Sequence, residues 1–141
     1  MSKKLLLTAH QTCPGPMSAL RNIKAVLADK MDVDLFVLED LVFPIKVPNK
    51  MLQRQLGRVQ NRLKMITLER LLPYEDNIIF AGFGPLISRV VRGLSKKGIR
   101  PSVMWCSTLN QAEMTRGEVE MLTILTNLLN TGKIKHLMAH R

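Results

Sequence analysis

Aromatic residues are scarce: one Trp, one Tyr and four Phe make up 4% of 141 residues. The core must therefore be assembled from Leu, Ile, Val and Met, and a stacking platform for single-stranded nucleic acid is disfavoured. Cysteine is scarcer still. Cys13 and Cys106 are too few and too far apart for a disulfide scaffold, and no CxxC or Cys/His spacing offers a metal site, so a reducing, cytoplasmic compartment is the natural reading. No apolar run approaches the roughly 18 residues of a membrane span. The opening run ends at His10-Gln11, too short for a signal-peptide core, and reads as a first strand. Membrane contact would then be peripheral, at the inner membrane face. Acidic residues are the last shortage, 11 against 21 Lys and Arg, for a formal charge of +10. Residues 1–72 hold 12 of those bases and 6 of the acids, so the excess is spread rather than held in a disordered tail. It favours an anionic partner: anionic lipid, a phosphorylated substrate or, less readily, nucleic acid.

What is present is an alternation of short apolar runs with amphipathic stretches, and 141 residues fit a single domain, 1–141. Lys4–Ala9 reads as a strand, followed by the loop His10-Gln11-Thr12-Cys13-Pro14-Gly15-Pro16, whose prolines and glycine are expected to delay the next helix until Ser18 as N-cap. Helix Ser18–Lys30, strand Asp34–Glu39 and a long helix Lys50–Leu72 follow, the last with Leu52, Leu56, Val59, Leu63 and Ile66 as its inward stripe and Pro73 as its stop. Strand Asn77–Ala81, helix Leu86–Lys97, strand Pro101–Cys106, helix Arg116–Asn130 and strand Lys133–Ala139 complete a β-α-β-α-β-α-β-α-β order. The expectation is an α/β fold: an open, parallel five-stranded sheet in a Rossmann-like three-layer α/β/α arrangement. Ligands of such sheets bind beyond the strands' carboxyl ends, where the strand order reverses. For the order 3-2-1-4-5, that crevice lies between the loops after strands one and four. The chain ends directly after strand five, as a complete domain or as the N-terminal half of a longer two-domain protein.

Three loops carry candidate chemistry. His10, Gln11 and Gly15 lie between strand one and the next helix start, where free backbone N–H groups can meet a phosphate. Cys13, near the same helix start, is a candidate nucleophile. Gly82-Phe83-Gly84 lacks the remainder of a GxGxxG fingerprint, and there is no GxxxxGK[ST] motif, so no cofactor is expected. These glycines read as a tight strand-to-helix turn that could also admit substrate. Residues Ser107 to Thr115 form a polar loop in which Ser107, Gln111 and Glu113 can bind hydroxyls, whereas Thr115 and Glu118 have the spacing of a capping box. On the long helix, Lys50, Arg54, Arg58 and Arg62 recur every four residues along one exposed side, a ridge suited to anionic headgroups or a polyphosphate.

In this order the elements resemble the N-terminal domain of GT-B glycosyltransferases. The match covers essentially the whole chain: strand one with its Gly/Pro loop, the basic helix, the turn at Gly82-Phe83-Gly84, and the exit Trp105-Cys106-Ser107 followed by Gln111-Ala112-Glu113 and the Gly117-Glu118 helix start. The resemblance implies an acceptor-side domain that works with a second Rossmann-like domain holding most of a nucleotide-sugar donor, so that this part alone would not turn over. It implies that Gly15 approaches the donor phosphates, and that His10, Gln11, Ser107, Gln111 and Glu113 face a polar or lipid-linked acceptor. Two other classes stay open. One is a phosphotransfer domain using Cys13, since Cys-Pro-Gly-Pro-Met-Ser is similar to the phosphocysteine loop of sugar-phosphotransferase IIB domains. The other is a non-enzymatic module that binds anions or nucleic acid through the basic ridge.

Overall fold

Strands buried on both faces have to be apolar throughout, whereas edge strands tolerate charge, and that distinction orders the sheet. Leu5-Leu6-Leu7-Thr8-Ala9 of β1 (Lys4–Ala9) and the whole of the four-residue strand Ser102–Trp105 are buried. Asp32 and Asp34 mark β2 (Asp32–Val37) as an edge. The structure, a computed structural model, describes residues 4–10, 14–82, 84–106 and 112–139. It contains one parallel five-stranded sheet. With β3 at Ile78–Ala81, β4 at Ser102–Trp105 and β5 at His136–Ala139, the order is β2-β1-β3-β4-β5.

The parallel three-layer fold is as expected, but the order 3-2-1-4-5 is not. Residues 38–77 supply no strand outside β2. Instead β3 returns to pair with β1, Leu6 opposite Ile78 through Ala9 opposite Ala81. The reversal therefore falls between β1 and β3, and the crevice opens beside His10 and the Gly82–Gly84 turn rather than beside the loop after β4.

Period-two alternation sends successive strand residues to opposite faces. Leu5, Leu7, Ala9, Ala81 and Met104 pack against α1 (Pro14–Leu27) through Ala19 and Leu20. Leu6, Phe80, Val103 and Trp105 pack on the other face. There they meet α2 (Leu38–Val42), α4 (Pro85–Ser95) and α5 (Arg116–Asn130). Opposite faces for α1 and the later helices follow from right-handed crossovers that run first toward β2 and then back past β1.

Several local readings change. The first helix starts at Pro14, four residues ahead of Ser18. Proline is well suited to a helix's first turn, where its missing N–H would be unpaired anyway. Strand β2 ends at Val37, and Leu38–Val42 forms a short helix that the strand reading hid. The long helix is α3, Lys50–Arg62, ten residues shorter than expected. It closes by a Schellman arrangement in which Met65 N–H donates to the Gln60 carbonyl at 2.8 Å and Lys64 N–H to that of Asn61 at 3.1 Å. Lys64, at φ 57°, occupies the left-handed position where glycine is the usual signal. Pro73 instead sits in a separate 3-10 turn, Leu72–Tyr74. The Thr115–Glu118 capping box forms as expected, opening α5.

The 3-10 turn is tied to the sheet edge by the Tyr74 hydroxyl, which donates to Asp34 Oδ2 at 2.7 Å. Burial, then that hydrogen bond and the Asp34 charge, push the phenol from 10.0 up to about 12, against the opposing effect of Arg70. The fold thus favours neutral Tyr74. This stabilisation is complete below pH 10.0 and is lost as pH rises through about 12. Because Tyr74 is the only tyrosine, tyrosinate absorbance reads it directly. The expected midpoint is about 12, and Asp34→Asn should lower it while burial keeps it above 10.0; a wild-type midpoint at 10.0 would contradict the contact.

Candidate functional site

His10 is the first residue after β1, so it stands at the sheet's reversal point by construction. Its Nδ1 lies 2.8 Å from Glu39 Oε1, and the two side chains are only 16% and 12% exposed. Glu39 is placed by α2, which begins where β2 ends. Against the Glu39 carboxylate, Nδ1 is the donor, and the neutral imidazole then has its lone pair on Nε2. That nitrogen faces the glycine turn: a Cβ built on Gly84 would stand 3.5 Å from it. Gly84 has φ 152° and caps α4, and Gly82 has φ 98°. Both glycines hold backbone conformations that favour glycine, and Gly84 presents no side chain to His10.

A cleft of about 260 Å³ lies over this pair, lined also by Phe43, Leu86 and, from α3, Arg54, Gly57, Arg58 and Asn61. Gly57 lets α3 approach closely, since a Cβ there would come within 3.1 Å of the Phe43 ring. Arg89 of α4 holds the far end of α3 by donating from Nη1 to the Asn61 carbonyl at 2.6 Å and to its side-chain oxygen. Beyond Arg54 a second hollow of about 500 Å³ is lined by Arg21, Lys50 and Asp40 among others. Arg54 borders both. Lys50, Arg54, Arg58 and Arg62 have no ion-pair partner among the described residues. The site is thus a carboxylate-oriented imidazole facing a cleft whose free charge is positive.

The orientation of α3 overturns its expected stripe. Its buried residues are Gln53, Gly57 and Gln60, while Leu52, Val59 and Leu63 are exposed at 54%, 48% and 64% and Leu56 is half-buried. The reason is local. The inner face of α3 meets the Phe43 ring at Gly57 and, on either side of it, the backbone of the irregular segment 44–48. Gln60 Nε2 donates to the Ile45 carbonyl at 2.9 Å, and Val47 N–H donates to Gln53 Oε1 at 2.8 Å. Asn49 caps the helix by accepting from Met51 and Leu52 N–H.

Among the expected site residues, His10, Arg54 and Arg58 meet at one cleft, and Lys50 lines the neighbouring hollow. Arg62 lies in the last turn of α3 and lines neither. Gly15 sits exposed in the first turn of α1, with nothing within 4 Å of a Cβ built there. Glu113 is exposed ahead of α5. Gln11, Cys13, Ser107 and Gln111 lie outside the described residues, as does Phe83. Glu39 and Asn61 were missed. The carboxylates of Leu38-Glu39-Asp40, just past a strand's carboxyl end, are the signal that could have found Glu39. Among the described residues no group of three side chains could hold a metal ion, and no helix is long and apolar enough to cross a membrane. No protein-family model matches this sequence, and no curated protein or solved structure matches it.

Gly84→Ala is expected to lose about 1–3 kcal/mol of stability, the usual cost of forcing a side chain into such backbone. Gly15→Ala, with open space and a helical backbone, should be neutral or gain up to about 1 kcal/mol. Urea unfolding of both variants checks the pair, and equal effects would contradict the turn geometry.

Proposed function

We propose that this domain receives the acceptor in a glycosyl transfer from a nucleotide-sugar, with His10 as the base. The observation that carries the reading is the His10–Glu39 pair, 2.8 Å apart at the reversal point of the sheet, under a cleft bordered by Arg54 and Arg58. In such a transfer the acceptor oxygen bonds to the anomeric carbon of the donor sugar while the bond from that carbon to the phosphate oxygen breaks. The nucleoside diphosphate leaves with the electron pair, and the acceptor's proton passes to Nε2 of His10. Glu39 holds the imidazole through Nδ1, which leaves Nε2, beside Gly84, to take the proton, and it stabilises the imidazolium that forms. Arg54 and Arg58, each without an acidic partner among the described residues, offer charge-assisted hydrogen bonds to an anionic group on the acceptor or to the departing diphosphate. The resemblance to GT-B acceptor domains supplies the reaction class, and with it a second domain for most of the donor.

Binding tests the acceptor half of this reading without requiring turnover. Hexose phosphates should bind the chain in calorimetric titrations and shift the His10 ring signals in NMR spectra. Arg54→Ala should weaken that binding about tenfold, a loss of about 1.4 kcal/mol, and unphosphorylated hexoses should bind more weakly than their phosphates. Hexose-phosphate binding that leaves the His10 signals unmoved and is indifferent to Arg54→Ala would sink the proposal.

A further inference from the structure

We infer that the outer side of α3, with the residues just before and after it, docks onto an anionic phospholipid surface. The inference is independent of the proposed transfer chemistry and rests on the inverted helix. Met51, Leu52, Val59 and Leu63 are 70%, 54%, 48% and 64% exposed, and Ile45 and Met65 at the two ends are 47% and 38% exposed. Six of the ten large exposed hydrophobics among the described residues therefore fall within residues 45–65. Isolated exposed apolar residues are ordinary, but a contiguous group marks a contact surface.

The charge of the same segment selects the occupant. Residues 45–65 contain Lys46, Lys50, Arg54, Arg58, Arg62 and Lys64, with no Asp or Glu and no aromatic residue. A second copy packed through α3 would set these cations against themselves with no acid to answer them. Nucleic acid would meet the charge, but it would find no aromatic ring to stack on and would leave the leucines in water. A bilayer of anionic lipid satisfies both halves, attracting the cations to its headgroups and taking the apolar side chains into the acyl boundary. Helical spacing places the two sets side by side on the exposed arc: Lys50, Arg54 and Arg58 toward the crevice, Met51 and Arg62 outermost, Leu52, Val59 and Leu63 beyond. Thirteen residues of helix span about 20 Å, which suits a helix lying along the interface and is too short to cross it. Docking in this way brings the mouth of the cleft to the membrane surface, because Arg54 and Arg58 belong to both.

The test is co-sedimentation of the full chain with vesicles of phosphatidylcholine alone and of phosphatidylcholine mixed with phosphatidylglycerol. Binding to the mixed vesicles only is expected. The double variant Leu52→Gln plus Leu63→Gln should bind at least about tenfold more weakly with an unchanged Tm, since both side chains are already in water. Leu63→Trp should give a fluorescence blue shift on vesicle addition. Full-strength binding by the double glutamine variant, or an unshifted Leu63→Trp signal on bound protein, would overturn the apolar contact. Absence of binding to phosphatidylglycerol vesicles would overturn the proposal, and so would a wild-type dimer in sedimentation equilibrium that the glutamine variant dissolves, which would make a second copy the occupant.

Discussion

The arrangement of this protein's functional surface depends on how the side chains of α3 hydrogen-bond one short irregular segment. Residues 44–48 form neither helix nor strand, and α3 meets their carbonyl and N–H groups with the side chains of Gln53 and Gln60. An apolar stripe in that position would have left the Ile45 carbonyl and the Val47 N–H to water and forfeited these bonds, each worth about 0.5–1.5 kcal/mol net. With the glutamines inward, helix geometry assigns the remaining faces. One cationic flank lines the cleft, and Leu52 and Leu63 are left facing solvent.

The sheet supplies the other half of the site. Pairing β3 with β1 makes β1 the strand at which crossovers change direction, and the residue following it, His10, is thereby set at the reversal. Glu39 reaches the same point because β2 runs parallel beside β1 and gives way to α2 at Val37. Gly84 reaches it from β3. Three neighbouring parallel strands thus deliver an imidazole, a carboxylate and a bare backbone to one spot, and α3 covers that spot with arginines.

The sheet and most elements were legible because burial on both faces leaves an unmistakable signature: Leu5-Leu6-Leu7 and Ile78-Ile79-Phe80 admit no charge. Asp32 and Asp34 of β2 are what speak against the interior place that the expected order 3-2-1-4-5 gave it. His10 and the basic ridge were legible as residues, but what brings them together is the partner of β1, which local periodicity does not encode. The face of α3 was misread for a physical reason. Periodicity identifies the two sides of a helix, but which side is buried depends on what lies beneath. Here that is a loop with hydrogen-bonding needs instead of an apolar sheet. The early end of α3 was hidden because Lys64 occupies a position where glycine is the usual marker.

The orientation of α3 underlies the cleft, the free arginines and the membrane-facing surface together, so it is the claim to test most directly. In a chain carrying Cys13→Ser and Cys106→Ser, single thiols introduced by Gln60→Cys and by Leu63→Cys can be labelled under native conditions. Gln60 is 1% exposed and Leu63 64%. Rapid labelling is expected in the Leu63→Cys chain and strong protection in the Gln60→Cys chain. The reverse pattern would mean that the leucine stripe is packed inward after all, and it would remove the cleft's arginines and the docking surface at once.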